Sequence, residues 1–139
     1  MSMRHLLYTL LSGDAPVVAV YGTRIIDAGQ LGETKGQAPR FPYLVTKFGE
    51  RTPGANRTSF VQEVELWSYD DPHDYTRTEK GLDALFALLH QRGGGSVAVD
   101  GVTTHLIQAE WLSTSRDFTD DVLRASAKYA TYRLVGNRQ

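Results

Sequence analysis

Apolar residues recur along this chain with two different periods, and the switches between them divide it into elements. Over Met3 to Leu11, Leu6, Leu7, Leu10 and Leu11 follow the i, i+3, i+4 spacing of a helix, and "SGDAP" stops it. The β-branched run "VVAVYG" then predicts a short buried strand or extended edge. From Asp27 to Pro42 the sequence becomes "DAGQLGETKGQAPRFP", rich in glycine and proline and without periodicity. This predicts a long loop, which inside a compact domain is commonly a functional one.

Alternation resumes at "FPYLVTKFG" and is clearest in "SFVQEVELWSY", where Phe60, Val64 and Leu66 share one face and Glu63, Glu65 and Trp67 the other. Across the eight-residue connection "RTPGANRT" the two runs predict an antiparallel hairpin with a long projecting tip, Gly49 to Thr58. The period then returns to helical from about Tyr75 to Arg92. Leu82, Leu85, Phe86 and Leu89 form an apolar stripe assigned to the core, and "GGG" ends it. "SVAVDGVTTHLIQAEWLS" predicts a second hairpin turning at Asp100-Gly101. The β-branched and aromatic residues of "ASAKYATYRLV" favour a closing strand. The fold class expected is therefore α/β (α+β): a mixed, mainly antiparallel sheet, one long amphipathic helix packed across it and a short N-terminal helix, all in a single domain of residues 1–139.

Composition narrows the chemistry. Hydrophobic residues make up 41% of the chain, too many for a disordered protein. The absence of cysteine removes thiol catalysis, thiolate zinc sites and disulfides. No apolar run nears the roughly 20 residues of a membrane span, and the N-terminus lacks the apolar core of a secretory signal, so a cytosolic chain is expected. Fifteen basic residues against sixteen acidic ones give no surplus with which to hold nucleic acid.

The stretch "DDPHD" holds the strongest candidate chemistry. Asp70, Asp71, His73 and Asp74 would serve a small metal-dependent hydrolase of the His-Asp kind. However, such a site needs further histidines at ligand spacing, and the remaining ones, His5, His90 and His105, supply none. The same residues are better explained as a helix start. Asp74 or Thr76 would cap the helix, Thr76 and Glu79 have the form of a capping box, and the aspartates face the positive end of the macrodipole. "QRGGGS" lacks the lysine of a phosphate-binding loop. "DFTDD" is expected to be a turn with solvated carboxylates, and Trp67 and Trp111 are expected to pack on the core or a sheet face. No cofactor is called for.

The order of parts carries a resemblance. Pro42-Tyr43-Leu44-Val45, then Val61 to Tyr69 leading into an aspartate-rich turn and "RTEKGLDALFALLHQ", then "DGVTTHLIQAEWLSTSRDFTDD" and "YATYRLV", resemble the tail terminator (tail-completion) proteins of long-tailed bacteriophages. The resemblance covers about Met3 to Val135. It implies a structural virion protein, not an enzyme, whose subunits form a ring, hexameric in the family. That ring caps the completed tail tube and joins it to the head connector. Its partners would be further copies of itself, the tail tube protein and a connector or stopper protein. DNA would pass through without specific binding, along a lumen lined by polar and acidic side chains, and no membrane would be involved. The chain would reside in the virion at the tail–neck junction after assembly in the host cytoplasm. Lys35, Arg40, Arg51 and Arg57 are the candidate ring or neighbour contacts. The alternatives are another neck or head-completion protein, the metal-dependent hydrolase above, and an interaction module of a toxin or secretion system.

Overall fold

The last strand of the chain lies in the middle of its sheet. The computed structural model describes residues 2–28, 40–54, 57–72, 75–99, 101–121 and 124–138. Its strands are β1 (Ile25–Asp27), β2 (Tyr43–Pro53), β3 (Ser59–Asp70), β4 (Ser96–Val99), β5 (Val102–Thr114), β6 (Phe118–Asp120) and β7 (Ala125–Arg138). They run in the order β1-β2-β3-β7-β5-β4, with β6 extending the β5 side of β7. Among the described residues, only β1 and β2 pair in parallel. Three helices among the described residues cover one face: α1 (Ser2–Ser12), α2 (Ala15–Tyr21) and α3 (Thr76–Leu89). The α+β architecture expected from the pattern is thus the one observed. No helix among the described residues is long and apolar enough to cross a membrane.

Alternation along β3 and β7 creates the two faces. Phe60, Val64 and Leu66 of β3, with Tyr132 and Leu134 of β7, point into the helical layer and meet Met3, Leu6, Leu7, Leu11, Val17, Tyr21, Leu82, Leu85 and Leu89. Each fully buried leucine stabilises this core by about 1.5–3 kcal/mol. On the opposite face Tyr43, Val45, Tyr69, Ala125 and Ala127 form a second, smaller cluster.

"VVAVYG" is not a strand. It belongs to α2, because Asp14 is an N-cap whose carboxylate accepts from Val17 N–H, and Pro16 sits in the first turn where its missing donor costs nothing. Valine loses only a few tenths of a kcal/mol in a helix. Burial of Val17 and Tyr21, four residues apart on one face, outweighs that loss. Tyr21 then reaches β3, its hydroxyl 2.6 Å from that of Ser68.

The projecting hairpin is shorter-tipped than its sequence suggests. β2 continues past a register shift between Phe48 and Arg51, so that Arg51, Thr52 and Pro53 pair with Gln62, Val61 and Phe60. Gln62 Nε2 donates to Gly49 O within the irregularity. The turn closes with Gly54 N–H bonded to Ser59 O.

α3 differs from expectation at both ends and in one core position. Its N-cap is Tyr75, without a side-chain cap, so Thr76 and Glu79 make no capping box; Asp74 lies outside the described residues. The entry is held instead by the Tyr75 hydroxyl, which donates to Phe118 O at 2.5 Å. Leu82, Leu85 and Leu89 are buried, but Phe86 is 42% exposed. It sits at the margin of the stripe, stacked on His90 and edge-on to Trp111. The helix ends at Leu89, before the glycines, and Gly94 and Gly95 instead hydrogen-bond along β5 to Leu106. A Cβ at Gly93 would lie 2.8 Å from Ile107 O, so this strap can approach β5 only as glycine. "DFTDD" likewise is not a free turn, since Phe118–Asp120 pair with Ala125–Ala127.

Leu85→Ala should cost about 2–5 kcal/mol in chemical denaturation by leaving a cavity. Phe86→Ala should cost about 1 kcal/mol or less, as a half-exposed site does. Gly81→Ala should destabilise comparably to Leu85→Ala, because its Cβ would fall 2.0 Å from the Tyr21 hydroxyl.

Candidate functional site

The acidic turn after β3 is organised by one buried carboxylate. Asp70, the last residue of β3, is fully buried and accepts from Arg77 Nε at 2.8 Å and from Arg77 Nη2 at 2.5 Å. It also accepts from the backbone N–H of Asp71 at 2.7 Å. Such a two-pronged guanidinium contact is among the stronger polar interactions a protein makes. It ties the first turn of α3 to the end of the central ladder. Asp71 is exposed and touches Arg77 only at 3.4 Å. His73 and Asp74 lie outside the described residues. Among the described residues no group of three or more histidine or acidic side chains is placed to hold a metal ion.

The candidate basic contacts are scattered. Arg51 is half-buried, its guanidinium 4.0 Å from the Phe60 ring centroid and its Nε donating to Gln62 at 3.2 Å. Arg57 is exposed in the hairpin turn. Arg40 is exposed ahead of the cis Phe41–Pro42 bond, at the other end of β2 from Arg51. Lys35 lies outside the described residues. The structure therefore unites Arg51 and Arg57 on one tip and separates Arg40 from them.

On the open face, stacked rings bind four strands together. Phe41 stacks on Tyr43, Tyr43 on Tyr69, and Trp67 on Tyr129 at 4.3 Å, with Phe118 closing the row. Trp67 is thus a sheet-face residue as expected, capped by the Lys47 ammonium 4.0 Å from its ring centroid. Burial, reinforced by Asp120, pushes the Tyr43 phenol up to about 12. Burial likewise raises Tyr21, Tyr69 and Tyr132. These phenols keep their protons at neutral pH, which suits packing and not proton transfer.

One concavity stands out. A cleft of about 360 Å³ lies between α3 and strands β5 and β7. Phe86, Trp111 and Tyr132 supply its aromatic walls, and Glu79, Asp83 and Lys128 its charges. Lys128 is shared between Glu79 at 3.6 Å and Asp117 at 3.3 Å. Trp111, expected to be packed away, is 38% exposed here. The Tyr132 hydroxyl is buried with no hydrogen-bond partner among the described residues. Sequence reasoning missed the cleft because Phe86 fits the helical stripe. The exposure of Trp111 depends on β5 lying beside β7, a pairing that the local pattern does not encode.

No family model matches this sequence, and no curated protein matches it. Among solved structures, the fold is similar to that of a chain described under "Virion of native gene transfer agent (GTA) particle". The TM-score is 0.70 at 14% identity, over 98% of this chain and 95% of that one. At that identity the likeness is one of fold.

If the acidic turn is a structural clasp, Asp70→Ala should lower stability by about 1.5–3 kcal/mol through loss of its charged hydrogen bonds. Asp71→Ala should be nearly silent, and a chelator should leave the melting temperature unchanged. A chelator-induced fall in melting temperature would restore the metal site.

Proposed function

We propose that this chain is a structural component of a phage-like virion and, within it, the tail terminator. Its subunits form a ring that caps the completed tail tube and presents the surface to which the head connector joins. The observation that carries the virion assignment is the likeness of fold, end to end, to a chain of a gene transfer agent virion. The finer assignment rests on the order of elements that resembles the tail terminators: the "FPY" step into β2, the long hairpin, the long amphipathic helix α3 and the closing hairpin and strand.

The chemistry of the described residues agrees with a structural role. Asp70 is committed to Arg77, the buried phenols remain protonated, and the stacked rings bind strands to one another. A net charge of -1 suits a conduit through which DNA must pass without being retained. Such a conduit would be lined by polar and acidic side chains, with the basic ones turned toward other proteins.

Disrupting the gene in cells that produce the particle separates this function from neighbouring ones. The expected result is filled heads accumulating apart from tails, with tails of uncontrolled length because nothing halts tube growth. Unattached tails of normal length would instead favour another neck or head-completion protein. Normal joined particles would refute both.

A further inference from the structure

The cleft beside α3 joins open aromatic surface to an uncompensated carboxylate. Glu79, Asp83 and Phe86 follow one another at i, i+4 and i+7, and together they form its helical wall. Trp111 of β5 meets Phe86 at 82°, with ring centroids 5.8 Å apart. Phe86 is 42% exposed and Trp111 38%, so two large rings reach solvent at one place. Apolar surface left open beside a charged rim is the pattern of a contact site. Tyr132 also lines the cleft, fully buried, with a hydroxyl that no described residue satisfies.

The charges around the opening do not cancel. Lys128 is the cation among the described lining residues, and it is already held by Glu79 at 3.6 Å and Asp117 at 3.3 Å. Asp83 is exposed and forms no ion pair among the described residues, although Lys80 lies three positions before it. Glu79 and Asp83 are like charges one turn apart, and Lys128 relieves only the first of them.

This arrangement decides the chemistry of an occupant. An apolar segment laid over the rings would take the Asp83 carboxylate out of water unpaired. A segment bearing carboxylates or phosphates would add to acid already in excess. A cation against Asp83 avoids both costs, and the neighbouring ring faces attract it as well. Arginine suits the place better than lysine, because a flat, weakly hydrated guanidinium can lie on a ring while its edge donates to a carboxylate. A volume of about 360 Å³ gives room for one long side chain and its flanks.

We propose that the cleft binds an arginine-bearing segment of a partner protein. The guanidinium donates to the Asp83 carboxylate and lies against the open surface of Phe86 and Trp111. The residues on either side of the arginine shield those rings from water. This inference stands apart from the ring reading above and does not need it.

A peptide titration of the full chain, followed by NMR, tests the site. The probe is the blocked peptide acetyl-Gly-Ala-Arg-Ala-Gly-amide, beside versions with lysine, glutamate or leucine at the centre. The Trp111 indole N–H signal, identified by its absence from Trp111→Phe, reports on the cleft. The Trp67 indole, bonded to Glu65, reports that each variant is folded. The arginine peptide should shift the Trp111 signal saturably, with a dissociation constant of about 1 mM or tighter. Asp83→Asn and Phe86→Ala should each weaken binding by about threefold or more. Asp71→Asn, outside the cleft, should leave binding unchanged. The lysine peptide should bind more weakly, and the glutamate and leucine peptides should give no saturable shift. Leucine or lysine binding as tightly as arginine, or full binding by Asp83→Asn, would overturn the proposal. So would the absence of a saturable shift with arginine. A Trp111 signal that moves with protein concentration alone would make the occupant a second copy and overturn it too.

Discussion

The structure depends on one ladder, the antiparallel pairing of β3 with β7 from Ser59–Asn137 to Asp70–Ser126. This register decides which side chains enter the core. A slip of one residue would turn either Val64 and Leu66 of β3 or Tyr132 and Leu134 of β7 away from the helices, bringing Glu63 and Glu65, or Arg133, in. The ladder is flanked by β2 on one side and by β5 and β6 on the other, so neither half of the sheet can be completed without it. Because β7 is the last strand, the helical layer acquires its full floor only when the C-terminal segment pairs with a strand more than fifty residues earlier. Asp70 anchors the end of this ladder. Its fully buried carboxylate fastens the start of α3 through Arg77 and so sets how the helix crosses the sheet.

What could be read in the sequence follows from how local each signal is. The faces of β3, the helical stripe of α3 and the turn at Gly101 are written in adjacent residues, and all three are present. The valines of α2 hide it, although Asp14 and Pro16 form a start signal that begins two residues after α1 stops. β1 is only three residues long and exists because Tyr43–Pro53 lies beside it, which no window around Ile25 reveals. The central place of β7 and the opening between Phe86 and Trp111 are both products of long-range pairing. A helical stripe identifies the side of a helix that turns inward but not how far the sheet beneath it extends. Phe86, at the margin, therefore reads as core and lies half in solvent.

The two faces of the sheet are held together in different ways. One carries the helical layer and the larger core. The other is stiffened by stacked rings joining β2, β3, β6 and β7, with Lys47 and Arg116 laid over Trp67 and Phe118. Ion pairs also hold the fold together, Asp70 with Arg77 and Lys128 with Glu79 and Asp117.

The most direct test of the whole account is the position of the protein in the assembled particle. Electron microscopy of purified particles labelled with gold-conjugated antibody against this chain should show a single cluster of label where the head meets the tail. Label spread along the tail, scattered over the head or absent from the particles would contradict a ring at that junction.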